Sequence, residues 1–197
     1  MQTIPEILSE ELGQRKDYVE NVITLLDEGN TVPFIARYRK EMHGAMDDQA
    51  IRNLADRLAY LRNLEARRQE VKTSIENQGK LTEELAHAID EAKTLAEVED
   101  IYRPYKQKRR TRATIAREKG LAPLAELLYA QEPDCPVPEE AAKDYVNEEK
   151  GVSSVEEALA GASDIIAETI SDDADVRKDL RALYNEWADV VSVAAEK

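Results

Sequence analysis

Residues 102–120 read YRPYKQKRRTRATIAREKG and hold eight cations (Arg103, Lys106, Lys108, Arg109, Arg110, Arg112, Arg117, Lys119) against one acid, Glu118. Such a run can neutralise several phosphates, and Tyr102 or Tyr105 can stack on an exposed base. Arginine is equally suited to planar, two-point pairing with carboxylates. The charge pattern therefore supports two readings, a phosphate-contacting surface and an anchor to another part of the same protein. A second cationic cluster lies in TVPFIARYRKE, residues 31–41. There Phe34, Ile35 and Tyr38 suit the core face of a short helix, and Arg37, Arg39 and Lys40 project outward. If this is the second helix of a helix-turn-helix, those three reach phosphates or base edges. Otherwise it is a short core helix whose arginines pair with neighbouring acids.

Other chemistry is scarce. The only histidines, His43 and His87, are far apart on polar stretches, and no Cys/His spacing suits a metal. Cys135, the single cysteine, sits in a polar loop away from both histidines, as an ordinary exposed or half-buried thiol. The acidic pairs Asp47-Asp48 and Asp172-Asp173 precede helices, where they complement the helix dipole. No phosphate-binding glycine loop is present. The expectation is a chain that is not an enzyme and takes no cofactor or metal.

These residues must be positioned by helices, because apolar side chains recur every three or four positions throughout. Ile4, Ile7, Leu8 and Leu12 form one stripe, and Val19, Val22, Ile23 and Leu26 a second that Gly29 stops. Two helices joined by the tight Gly-Asn turn before Val32-Pro33 are compatible with a helix-turn-helix geometry. The longest helix runs from Asp47 to about Asn77, with Ile51, Leu54, Leu58, Leu61, Leu64, Val71 and Ile75 inward and a gap at Arg68. About thirty residues at ~1.5 Å each make a spine of roughly 45 Å. Thr82 caps the next helix, a Thr94–Glu97 capping box opens another, and Pro104 ends it. Thr111 or Thr114 re-enters helix, Gly120 stops it, and Pro123 opens the next. A Ser153–Glu156 capping box precedes Ile165, Ile166 and Ile170. The last stripe, Val176, Leu180, Leu183, Trp187, Val190 and Val191, has no Gly or Pro stop, as expected of a truncated helix.

The fold class expected is all-α, a multi-helix bundle with a helix-turn-helix-like N-terminal part and one long central helix. The expected regions are 1–130, a Pro-rich linker at 131–140 (QEPDCPVPEE), and an acidic helical segment at 141–197. The net charge of -14 is uneven, at -1 over residues 1–120 and -13 over 121–197. Overall acidity repels phosphate, so tight binding of nucleic acid by this chain alone is not expected. One cysteine, no apolar leader and no long apolar run indicate a cytoplasmic chain.

TVPFIARYRKE, NQGKLTEEL at 77–85 and EDIYRPYKQKRRTRATIAREKGLAPLAELL at 99–128 closely resemble the N-terminal region of the Tex family. These are bacterial transcription accessory proteins, similar to a eukaryotic elongation factor that also handles histones. The resemblance is densest over residues 30–130. The family usually has Thr-Gly and Asp-Glu where His43-Gly44 and Asp47-Asp48 stand here, and Pro in place of Gln107. The resemblance implies a longer protein with an RNase-H-like domain, helix-hairpin-helix elements and a C-terminal OB-fold domain to which nucleic-acid binding is mainly attributed. On the charge pattern, one expectation is that RNA or DNA is the partner, bound weakly by this region alone through a secondary surface of Arg37, Arg39, Lys40, Lys106, Lys108, Arg109, Arg110, Arg112, Arg117 and Lys119. The alternative is a structural module docking onto the remaining domains or RNA polymerase, without touching nucleic acid.

Overall fold

A computed structural model describes residues 2–44, 46–106 and 110–194. They form twelve α-helices and no strand, an all-α fold. No helix is long and apolar enough to cross a membrane. The chain folds as two compact units, Met1–Leu95 and Ala96–Lys197.

The first unit holds α1 (Ile4–Leu12), α2 (Lys16–Asp27), α3 (Val32–Tyr38), α4 (Lys40–His43), α5 (Asp48–Glu76) and α6 (Glu83–Glu91). Asp47 caps the long helix α5 by accepting from the Ala50 amide at 2.8 Å. The stripe expected on α5 is buried in full, from Ile51 to Ile75. Its first half closes a core with Leu8 of α1, Val19 and Val22 of α2 and Ile35 of α3. Two arginines of α5 grip the short helices with paired hydrogen bonds, Arg57 to Glu11 and Arg62 to Asp27. The gap at Arg68 is filled by that side chain itself, whose Nη2 donates to the Ala92 carbonyl at 2.7 Å just past α6. Gly44 is required where it stands. Its φ is +65°, and an added Cβ would lie 2.6 Å from the Tyr18 ring.

The second unit holds most of α7 (Leu95–Tyr102), then a 3-10 turn at Arg103–Tyr105, α8 (Arg112–Glu118), α9 (Ala122–Ala130), α10 (Pro138–Lys143), α11 (Val155–Asp172) and α12 (Ala174–Trp187). Its core is built largely from small residues, Ala113, Ala116, Ala125, Ala142, Ala158 and Ala162, around Leu121, Leu124 and Ile165. Alanines let α8, α9 and α10 approach α11 closely, and all three pack on it. Residues 131–137 therefore run between two helices that share one core, and Pro138–Glu140 already belong to α10.

Three local expectations shift. The cap of α11 is Ser154 rather than Ser153: Ser154 Oγ accepts from the Glu157 amide, and Glu157 takes the Ser153 amide and hydroxyl. His43 is buried, not on a polar surface. The last helix ends at Trp187, short of Val190 and Val191, which are 99% and 80% exposed. β-Branched residues with nothing to pack on gain little from continuing a helix.

Candidate nucleic-acid interface

The two cationic clusters fall in different units, and the structure treats them differently. In the second unit, three acids stand every fourth residue along α11, Asp164, Glu168 and Asp172, and so share one face. Each meets an arginine from residues 103–117. Arg112 reaches Asp164 at 3.4 Å, Arg117 reaches Glu168 at 2.5 Å, and Arg103 reaches Asp172 at 2.8 Å. Thr111, whose hydroxyl caps α8 by accepting from the Thr114 amide, also donates to Glu168 at 2.9 Å. Glu168 and Asp172 are mostly covered, at 16% and 13% exposed, so their two pairs are part of the packing of α8 and the 3-10 turn on α11.

The remaining described cations of the stretch are also engaged. Lys106 pairs with Glu99 and lies 5.4 Å from the centre of the Tyr102 ring. Arg110 pairs with Glu118 at 2.6 Å, and Lys119 donates to the Gly151 carbonyl at 2.6 Å. Lys108 and Arg109 lie outside the described residues. Asp100 is the most buried acid of this unit. Its carboxylate accepts from Arg177 at 2.5 Å and from Arg181, both on α12. Burial pushes the Asp100 carboxyl up, but the hydrogen bonds from Arg177 and Arg181 outweigh that and hold it below the usual carboxylate range.

In the first unit, α2, the turn ending at Asn30, and α3 place Arg37, Arg39 and Lys40 around the end of a seven-residue helix. The turn is closed by the Asn30 amide and side chain, which both donate to the Leu25 carbonyl. Among the described residues neither Arg37 nor Lys40 makes an ion pair, and both are exposed. Arg39 lies over the Phe34 ring at 5.4 Å, and the Phe34 and Tyr38 ring centres are 5.3 Å apart. Tyr38, expected to face the core, is instead 62% exposed. The reason is that α3 ends there. Arg39 leaves helical geometry at φ −129°, and the buried ring against the Ile35 carbonyl is that of His43, with Nε2 at 3.1 Å. The Asn21 amide holds the Met42 carbonyl at 2.9 Å and ties α4 to α2.

The histidine's positioning role gave no sequence signal beyond its place before Gly44. The α11 ladder did give one, in the four-residue spacing of Asp164, Glu168 and Asp172. Among the described residues no group of three His, Cys, Asp or Glu side chains is placed to hold a metal ion.

Residues 2–76 match the model of the Tex-like protein N-terminal domain, and residues 134–197 match the Tex central region-like model. The chain belongs to the Tex family. Protein YhgF of Escherichia coli is 52% identical to this Tex-family chain over 85% of the chain and 22% of its own length. The transcriptional accessory protein Tex of Neisseria gonorrhoeae is 48% identical over 93% of the chain and 24% of its own length. A human relative, S1 RNA-binding domain-containing protein 1, is 31% identical over 90% of the chain and 18% of its own length. The chain thus spans about a quarter or less of the curated relatives it matches.

Proposed function

We propose that this Tex-family chain is a non-catalytic, cytoplasmic helical region of a transcription accessory protein, and that it contacts nucleic acid through Arg37, Arg39 and Lys40. The observation that carries this is the contrast in pairing. Arg37 and Lys40 have no ion-pair partner among the described residues, whereas every described cation of residues 103–119 has an acid or a carbonyl to bind. A paired arginine must give up its carboxylate before it takes a phosphate, while a free one only exchanges counterions. Arg103, Arg112 and Arg117 then serve the fold, tying their segment to α11. The printed names of the relatives, with transcription in one and RNA binding in another, agree with this role.

Titration of labelled RNA and DNA at several salt concentrations tests it. Arg37→Ala with Lys40→Ala should weaken binding and flatten the salt slope by roughly 1 per residue removed. An unchanged slope would sink the assignment. So would binding that survives this variant but is lost when Lys108, Arg109 and Arg110 are all replaced by alanine.

One observation favours a protein partner as well. Leu180, Leu183 and Trp187 recur along α12 and are 46%, 54% and 73% exposed. A stripe of that kind suits docking onto further parts of a longer Tex protein or onto RNA polymerase. Leu183→Asp should reduce co-elution with purified RNA polymerase. Co-elution of the variant equal to that of the parent chain would remove polymerase as the occupant.

A further inference from the structure

We infer that the end of α3 is a stacking platform for single-stranded nucleic acid, with an unpaired base on Tyr38 and the adjoining phosphates on Arg37 and Lys40. The inference rests on the reading of Arg37, Arg39 and Lys40 as a nucleic-acid contact, and goes beyond it in naming the strandedness and the stacking residue. Among the described residues four large aromatic side chains stand more than half exposed, Tyr38, Tyr129, Tyr184 and Trp187. The last three lie in the acidic part of the chain, beside Glu126 and Glu132 or Glu186 and Asp189. Tyr38 is different. Its sequence neighbours are Arg37, Arg39 and Lys40, with Glu41 the only acid from Thr31 to Gly44.

The rings around it form a tilted pair, with 44° between the Phe34 and Tyr38 planes. Tyr38 adjoins Phe34 at 5.3 Å between ring centres, and Arg39 covers Phe34 at 5.4 Å. Arg39 thereby stiffens the aromatic pair, which lowers the cost of holding Tyr38 in one position. Arg37 and Lys40, which make no ion pair among the described residues, lie one and two positions from Tyr38 in the sequence. An aromatic face between free cations is the arrangement that binds single strands with little sequence preference, because every base has a stacking face and every link a phosphate.

Duplex reading fits less well. A recognition helix enters the major groove with its N-terminal residues on base edges. The first residues of α3 are Val32 and Pro33, which carry no polar side-chain atoms. The polar and aromatic side chains cluster at the opposite end, and a base paired within a duplex offers Tyr38 no free face.

The test uses the full chain and three probes, a single-stranded RNA, a single-stranded DNA and a duplex, each about 12 nucleotides long, within the usual span of single-strand sites. The expected result is tighter binding of either single strand than of the duplex. Tyr38→Ala should lose roughly 5- to 150-fold on the single strands, the range seen for removing one stacked base. Tyr38→Phe, which keeps the ring, should bind like the parent chain. Tyr38 is exposed, so neither variant threatens folding, and unchanged far-UV circular dichroism verifies that. Equal binding by Tyr38→Ala, with loss on Arg37→Ala and Lys40→Ala, overturns the stacking platform and leaves the phosphate contact standing. Preference for the duplex does the same. No binding to any of the three probes at low salt overturns both.

Discussion

Leu121→Ala is expected to lower the unfolding free energy of the second unit by roughly 2–5 kcal/mol, the range for emptying a fully buried leucine site. Leu121 is 1% exposed and sits in the alanine-lined core between α8 and α11. Alanine neighbours cannot swing in to fill the space it leaves, so the cavity persists. The sharper expectation concerns Gly161, in the middle of α11. A Cβ added there would lie 2.3 Å from Leu121 Cδ1 and 3.3 Å from Ala116 Cβ. In the parent chain Gly161→Ala therefore crowds the core, at a cost on the order of 1–3 kcal/mol. That offsets or exceeds the ~1 kcal/mol a helix gains on exchanging glycine for alanine. With Leu121→Ala already present, the obstructing methyl group is gone, and Gly161→Ala should become stabilising. Urea melts of the two single variants and the double variant read the coupling directly. Strict additivity would show that Leu121 and Gly161 do not oppose each other across this interface.

The second large effect is expected at Asp100. Asp100→Ala leaves Arg177 and Arg181 facing a site with no carboxylate, at a cost toward the lower end of roughly 3–5 kcal/mol, because both arginines are about a third exposed. The same residue sets part of the acid response. Its pKa is depressed in the folded chain, so its contribution is fully present above the unfolded value of about 3.9. It is lost as pH falls through the lower folded value. Asp100→Asn should therefore be less stable than the parent chain at neutral pH, and the gap should narrow as the solution is acidified below about pH 4. A gap that stays constant down that range would mean that the charge of Asp100 contributes nothing, and that only its shape matters.

The legible parts of this protein are those governed by neighbours in the chain. The buried stripe of α5, the caps at Asp47, Thr82 and Thr111, and the stop at Gly120 all follow from residues within one or two turns. Tyr38 and Val190 depart from the expected burial for a common reason. An apolar side chain at the right spacing is buried only if another element arrives to cover it, and none does at either place.

Among the cationic residues, spacing alone left phosphate and carboxylate equally good partners. The choice depends on which helix faces meet. Arg117 finds Glu168 51 positions on, Arg103 finds Asp172 at 69, and Arg181 finds Asp100 at 81. The spacing of the α11 acids shows that they share a face but not which arginine meets each, because a guanidinium takes any carboxylate that packing brings within reach. The sequence alone determined the helices, their order and the family resemblance, since each rests on short-range periodicity or contiguous motifs. Only the tertiary structure decided that Arg103, Arg112 and Arg117 are held by α11 while Arg37 and Lys40 make no ion pair among the described residues, since that division is made by long-range packing.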